Sequence, residues 1–562
     1  MTTFRTAECQ LDKPSPRRYW LGATPAVIVV HVVTLVAGLV ILLWENRHFW
    51  FFGDDWEFLV KRGLHHPTLS IWQPHNEHWS TLPILVYRLL FTLFGLQYFP
   101  YIFVAVAAHL VLAHLLWRTC LREGVDGWVA TTFAALFVVL GSGAENLTWD
   151  FQMTFIGSLV FGYLALEVAR RSSSLGVDLA VSLLLLASLM CSTVGDAMVV
   201  AVGLFLVVDR GWRSALRAIV LPVVCYLLWY GLVGHSAVTS DRVSLTTFLN
   251  APEFIWSGAA AALGNTFGLS SAGAALLVVL LASIGYAFPR LYHAHPAVLG
   301  LGFGVGVFYL LVALGRSGSG GSSDASRYVY VAMALLIPLM ATLVSLVRRP
   351  AFEIRVPVIA VLLIVIVANL GFLRNFTASR LTIVQPEKEQ IVTTASLLAE
   401  GLPSLDPTPI TYSPDLTSTA LRDLVRTGRL SIVPVSRTQR LVDEAAMDVV
   451  AGPSRLVTGS LGILGSSDAT ASATSNGCSV VLTTGPNPTV LLTTPYSGGS
   501  LTISGSPNAQ IDTGVVEGSQ AATGPSITLN AEGQSVLNSE VRDGHVFLEL
   551  PAGSRTVLCP TG

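Results

Sequence analysis

The chain has 562 residues, 52% of them hydrophobic and only 12% charged, with a formal net charge of −2. That balance excludes an ordinary soluble protein, and without a basic tract the sequence offers no footprint for a nucleic-acid partner. Apolar runs long enough to span hydrocarbon recur through the first two thirds, which predicts a polytopic α-helical membrane protein surrounded by membrane lipid.

The first twenty residues carry Lys13, Arg17 and Arg18 ahead of an apolar run at 21–44, which is too long for a cleaved signal peptide and reads as a retained first helix. Further runs fall near 98–118, 128–141, 154–169, 177–194, 196–209, 217–234, 271–288, 297–314, 328–347 and 356–373, about eleven spans in all. With the N-terminus cytoplasmic, the inner loops hold Arg118, Arg122, Arg170, Arg171, Arg210, Arg213, Arg217, Arg290, Arg348, Arg349 and Arg355. The outer loops hold fewer cations: Arg47, Lys61, Arg62, Arg88, Arg242, Arg316 and Arg327. The positive-inside rule then fixes the orientation, and an odd number of spans places everything after about residue 373 outside the cytoplasm.

The outward loop 45–97 contains the densest polar sequence. Phe51-Phe52-Gly53-Asp54-Asp55-Trp56-Glu57-Phe58 and Gln73-Pro74-His75-Asn76-Glu77-His78-Trp79 together hold four carboxylates and two histidines beside a bilayer, a costly concentration unless it is used. Asp54 and Glu57 stand at i,i+3 among aromatic residues that press them to the membrane surface, and a partly desolvated carboxylate is a good base. The competing role is to favour a helix N-terminus. His75 and His78 are also at i,i+3, a spacing open to a divalent metal such as Mg or Mn and equally to hydrogen bonding of a sugar or carboxylate by a turn after Pro74. The loop ends in an apolar stretch, 80–97, interrupted by Arg88, which predicts a helix lying in the interface with its arginine turned to headgroups.

A second outward loop, 141–152, holds Glu145, Asn146, Trp149 and Gln152, and its Asn146-Leu147-Thr148 matches a glycosylation acceptor by pattern. A third, the glycine-rich 315–323, lacks the Gly-Lys-Ser/Thr ending of a P-loop and reads as a substrate gate leading to Arg327 and Tyr328. Gly300, Gly302, Gly304 and Gly306 lie in a span and predict close helix packing, while His31, His109 and His114 predict interhelical hydrogen bonds. Asp196 reads equally as a helix cap or a substrate contact. Trp56, Trp79 and Trp149 are candidate platforms for sugar rings.

After Leu373 the long apolar runs stop and Ser, Thr, Gly and Pro rise. Residues 374–454 predict a small α/β segment with helices at Glu387 to Leu402 and Leu416 to Thr427 and a strand at Leu430 to Val435. Residues 455–562 predict a β-sandwich, in which Cys478 and Cys559 are the one candidate pair among six cysteines. Three regions result: a membrane domain at 1–373, the α/β segment and the sandwich.

A first helix followed at once by an outward loop with paired Asp residues, interfacial helix, many further spans and an outward C-terminal domain resembles the GT-C class of integral-membrane glycosyltransferases. The most specific parts of that resemblance are Asp54-Asp55 and Arg327-Tyr328. More narrowly, Asp54-Asp55-Trp56, His75 to Trp79, and Glu145-Asn146 with Phe151-Gln152 are similar to a group of actinobacterial membrane proteins of cell-envelope glycosylation. The resemblance implies an inverting transferase that moves a sugar from a polyprenyl-phosphate donor to an envelope glycan or glycolipid at the outer face. In that role Asp54 or Asp55 is the base, and Arg327, with Arg88 second, faces the phosphate. Glu57, His75, Asn76, Glu77, His78, Trp79, Glu145, Asn146, Gln152 and Tyr328 complete the expected substrate site. The alternative is a non-catalytic transporter or assembly scaffold for envelope polysaccharide, which calls for ionisable residues deep in the spans and for repeated halves. Neither stands out in the sequence.

Overall fold

The computed structural model describes residues 23–64, 67–171, 173–236, 245–316, 322–347, 351–400, 409–410, 413–430, 454–457, 463–466, 469–473, 478–484, 489–492, 500–517, 520–523, 527–538 and 545–561. The chain divides into two compact units. One gathers 1–48, 70–86 and 99–380, the other 49–69, 87–98 and 381–562.

In chain order the helices are α1 (Pro25–Glu45), α2 (Thr81–Phe94), α3 (Tyr98–Arg122), α4 (Gly127–Val138), α5 (Ala144–Thr148), α6 (Met153–Ala169), α7 (Leu175–Leu189) and α8 (Val194–Arg210). They continue with α9 (Trp212–Leu232), α10 (Leu245–Thr266), α11 (Gly273–Ala294), α12 (Pro296–Arg316), α13 (Ser326–Ser345), α14 (Ala351–Glu400) and α15 (Ser418–Arg426). All eleven apolar runs are helical, and among the described residues nine helical stretches are long and apolar enough to cross a membrane. The chain is therefore a multi-pass α-helical membrane protein. At 15 residues α7 is shorter than the roughly 20 that a crossing takes, so the run expected there does not by itself make a span.

Two features depart from the expected pattern. Helix α10 was not anticipated, because Asn250, Pro252 and Glu253 interrupt its hydropathy, yet it packs against α11, α12 and α13. Helix α14 runs unbroken for 50 residues, so the helix expected from Glu387 is the end of α14 and not the start of a separate layer. The sequence before residue 23, the centre of the gate at 317–321 and the strand residues 431–435 lie outside the described residues.

Local chemistry accounts for the bundle. Thr24 caps α1 with Pro25 in the first turn, and Val29, Val33, Val36 and Val40 are exposed along an almost wholly apolar helix, a surface suited to lipid. His31 Nε2 meets His114 Nδ1 at 3.2 Å, and His109 joins the Tyr330 hydroxyl at 2.7 Å and the Val138 carbonyl at 3.1 Å, so the span histidines bridge helices as expected. The glycine stripe of α12 works unevenly. A Cβ on Gly300 would stand 2.4 Å from the Ala201 carbonyl oxygen of α8, whereas Gly306 faces open space.

In the second unit the strands are β1 (Pro409–Ile410), β2 (Ser413–Thr417), β3 (Ser454–Val457), β4 (Ile463–Ser466), β5 (Ala469–Ala473), β6 (Ser479–Thr483) and β7 (Thr489–Leu492). They are followed by β8 (Ser500–Ser504), β9 (Gln510–Glu517), β10 (Gln520–Thr523), β11 (Ile527–Thr528), β12 (Gln534–Asn538), β13 (His545–Glu549) and β14 (Arg555–Thr561). Beyond the β1-β2 pair they form a sheet ordered β10-β9-β13-β7-β4-β3, with β11 beside β9, and a second ordered β12-β8-β14-β6-β5. Every pairing is antiparallel. The expected bridge is present: Cys478, just before β6, is disulfide-bonded to Cys559 in β14, the strand that pairs with β6.

Candidate functional site

In the second unit, the aspartate pair sits on a turn opened by Gly53, whose φ of 56° lies in the left-handed region that glycine adopts at no steric cost. The two carboxylates have unequal surroundings. Asp55 is fully buried and accepts hydrogen bonds from the Phe52 amide at 3.0 Å and from the Tyr87 hydroxyl at 2.7 Å. Asp54 is only half-buried. Glu57 opens a π-helical turn, Glu57–Lys61, and binds the buried Arg62 through Nε at 2.6 Å. Arg88 is not spread toward headgroups. Its Nε and Nη2 donate to the carbonyls of Arg62 and Gly63 at 2.8 and 3.1 Å, because those carbonyls, left over at the end of the turn, need donors. Lys61 is paired with Asp415 of β2. This turn is thus held from several sides, with Asp54 at its more open edge.

The second polar run lies in the first unit and is a two-residue hairpin turn. The His75 amide donates to the His78 carbonyl at 3.0 Å and the His78 amide to the His75 carbonyl at 2.9 Å, with Asn76 at φ 49°, a value asparagine tolerates. The histidines therefore flank a turn and do not share a helix face. Among the described residues no group of three or more His, Cys, Asp or Glu side chains is placed to hold a metal ion.

From this turn Glu77 reaches the end of α12, where Arg316 grips it with Nε at 3.1 Å and with Nη2 at 2.8 and 3.0 Å from its two oxygens. Burial opposes ionisation of Glu77, but His78 and Arg316 outweigh it and hold the carboxyl below the usual range. His78 Nδ1 lies 2.8 Å from the Thr193 hydroxyl, just before α8, and Asp196 one turn on is hydrogen-bonded to Tyr226. His75 is 3% exposed and meets the edge of Phe151.

The expected aromatic platforms are interior. Trp79 is 5% exposed and stacked on Trp229 with ring centroids 5.0 Å apart, Trp149 is stacked on Phe151, and Trp56 is fully buried beside Trp50 and Phe51. All three rings are buried, so these tryptophans build walls and do not receive a sugar.

A third constellation, also in the first unit, joins the 141–152 segment to α13. Ser326 Oγ donates to the Ser142 carbonyl at 3.0 Å and accepts the Glu145 amide at 3.2 Å, while Asn369 of α14 accepts the Ser142 amide at 3.1 Å and donates to the Thr266 carbonyl at 2.8 Å. This scaffold fixes Glu145, which takes Nη1 of Arg327 at 2.9 Å. Arg327 lies 4.9 Å from the ring centre of Tyr328, and 37% of its side chain is exposed. Asn146 donates to Gln152 at 3.3 Å and is 1% exposed within α5, which removes it as a glycosylation acceptor.

The structure thus places Asp54, Asp55, Glu57 and Arg88 in one unit. His75, Asn76, Glu77, His78, Trp79, Glu145, Asn146, Gln152, Arg327 and Tyr328 lie in the other. Sequence reasoning missed Tyr87 and Thr193, whose hydroxyls carry no local pattern. It missed Arg316 as a site residue too, although a lone arginine closing an apolar helix was the available signal.

No family profile matches the chain, and no curated protein does. Among solved structures that resemble it are two of one protein. ArnT from Cupriavidus metallidurans bound to undecaprenyl phosphate is 16% identical, with 76% of this chain and 90% of that chain covered and a TM-score of 0.45. The same protein in the apo state is 15% identical, with 75% and 88% covered and a TM-score of 0.46. At these values the likeness does not extend to individual residues.

Proposed function

We propose that the protein is a GT-C-type membrane glycosyltransferase that moves a sugar from a polyprenyl-phosphate donor to an envelope glycan or glycolipid at the extracytoplasmic face. The observation that carries this reading is the unequal treatment of two adjacent carboxylates. Asp55 is fully buried and fixes the turn through Tyr87 and a backbone amide, whereas Asp54 on the same turn is half-buried and so open to the approach of an acceptor hydroxyl whose proton it would take. In the reaction the acceptor hydroxyl gives its proton to Asp54, its oxygen bonds to the anomeric carbon, and the bond from that carbon to the polyprenyl phosphate breaks with its electron pair staying on the phosphate. Attack opposite the departing phosphate inverts the centre. Arg327 is the cation for the phosphate, since Glu145 and Tyr328 hold its guanidinium in place while part of the side chain meets solvent.

The test is transfer by the purified full-length protein from sugars linked to undecaprenyl phosphate, the lipid held by the ArnT structure, onto envelope glycolipid extracts. Label should move to the acceptor with release of the lipid phosphate. Absence of transfer from every such donor, with the lipid still bound, would leave the scaffold reading in its place. Reporter fusions at residue 60 and after residue 400 should both report the extracytoplasmic side, and a cytoplasmic C-terminus would remove the proposed orientation.

A further inference from the structure

The end of α2 borders a cavity of about 610 Å³ that lies wholly within the second unit and takes in Trp50, Leu93, Phe94, Gln97, Lys388 and Arg429. Its chemistry is two-sided. Apolar side chains and glycines supply most of the wall, the charged groups are both cationic, and among the described residues no carboxylate lines it.

The two cations have different tasks. Arg429 donates Nη1 to the carbonyls of Phe91 and Thr92 at 3.1 Å each, closing the last turn of α2 where helix carbonyls lack partners. Lys388 is exposed on α14 and holds its ammonium 5.7 Å from the ring centre of Trp50. An ammonium on an indole edge of an apolar pocket suits a phosphate group whose remaining substituent is apolar. The outside of α2 supplies the apolar continuation within the same unit: Leu89 and Leu93 are 58% and 62% exposed at i,i+4, and Leu93 itself lines the cavity.

We infer that this cavity binds an anionic glycerophospholipid, with its phosphate at Lys388 and an acyl chain along Leu89 and Leu93. None of the residues assigned to sugar transfer lines it, so the lipid is a resident of the second unit and not the donor. Charge complementarity selects an anionic headgroup over a zwitterionic one, because no carboxylate in the lining would meet a headgroup amine.

Native mass spectrometry of the delipidated full-length protein, titrated with phosphatidylglycerol, phosphatidylethanolamine and undecaprenyl phosphate in turn, tests the inference. Phosphatidylglycerol should bind more tightly than phosphatidylethanolamine. Lys388→Gln should weaken it about five- to tenfold while Lys388→Arg keeps most of the affinity, the scale expected for one cation near a lipid phosphate. Leu93→Ser should weaken both glycerophospholipids, and undecaprenyl phosphate binding should be unaffected by Lys388→Gln. Equal binding of the two glycerophospholipids with no effect of Lys388→Gln would overturn the site. A matching loss of undecaprenyl phosphate in Lys388→Gln would also overturn it, by giving the cavity to the donor. Lys388 is exposed, so an unchanged unfolding midpoint separates a lost ligand from a lost fold, and neither result depends on whether sugar transfer is detected.

Discussion

The Tyr87 hydroxyl donates a 2.7 Å hydrogen bond to the buried carboxylate of Asp55, tying the middle of α2 to the turn that carries Asp54. The Tyr87 ring is itself fully buried and meets Phe58 edge-on at 5.4 Å, so Tyr87→Phe keeps the packing and removes one bond to a charged acceptor. Such a loss costs about 1.5–3 kcal/mol. The measurable outcome is a lower thermal midpoint for Tyr87→Phe in detergent; an unchanged midpoint would show that the bond does not hold the turn.

Glu77 and Arg316 give a pH signature. With the folded pKa of Glu77 below its ordinary value of about 4.3, the stabilisation from ionised Glu77 is complete above that value and is lost as pH falls through the lower folded value. Wild type should therefore exceed Glu77→Gln in stability by an amount on the order of 1 kcal/mol that is present above about pH 5 and shrinks below about 4. Thermal unfolding of both proteins across that range checks it, and a difference that grows toward acid would reverse the assignment.

The sheet ordered β10-β9-β13-β7-β4-β3 contains the opposite case. Glu549 of β13 stands directly across from Asp512 of β9, and burial followed by repulsion from Asp512 raises its pKa. A raised carboxyl pKa makes the ionised form destabilising, so this sheet gains stability as pH falls through the folded value. Glu549→Gln should stabilise the protein at pH 7 by about 0.2–1 kcal/mol, the worth of a cross-strand pair, with the gain fading below pH of about 4. Unfolding midpoints of the sheet region at pH 7 and pH 4 decide it.

Much of the architecture was written in residues whose signals are local. The apolar runs and the span histidines depend on patterns a short window can hold, while Cys478 and Cys559, 81 residues apart, stood out as the two cysteines after the apolar runs, and each appears in the structure. What stayed hidden depended on distant partners. Helix α10 breaks its hydropathy with the exposed Asn250, Pro252 and Glu253 while the helices it packs against, α11, α12 and α13, lie outside any local window, and Trp79 gives no local sign of Trp229, on which it stacks. Likewise, the difference between Asp54 and Asp55 is invisible in a two-residue string and is set by Tyr87, 32 residues downstream of Asp55.

For Arg327 the ion pair with Glu145 sets the expectation. Arg327→Ala should lose most donor binding, whereas Arg327→Lys keeps the charge without the planar fork and should retain part of it. Glu145→Gln removes the partner that neutralises and orients the guanidinium, so lipid phosphate should still bind while turnover falls. Binding of undecaprenyl phosphate to the three variants, read beside transfer rates, separates charge from orientation. Equal affinity in wild type and Arg327→Ala would move the phosphate to another cation.

The aspartates separate enzyme from scaffold. Asn matches the shape of Asp and cannot take a proton, so Asp54→Asn should leave the unfolding midpoint and lipid binding intact and lower turnover by about 10²-fold or more. Asp55→Asn should act through the fold. It keeps the shape but weakens the acceptor for Tyr87 and the Phe52 amide, so the midpoint drops by about 1–3 kcal/mol of stability and turnover falls only as far as the turn loosens. The two variants thus exchange places between assays: one is stable and slow, the other less stable and faster. Lowering the temperature should recover much of the Asp55→Asn activity and none of the Asp54→Asn activity, because refolding a turn restores geometry and cannot restore a proton acceptor. Full transfer in Asp54→Asn would end the catalytic reading of this turn, and loss of folding in Asp54→Asn with normal folding in Asp55→Asn would exchange the roles of the two carboxylates.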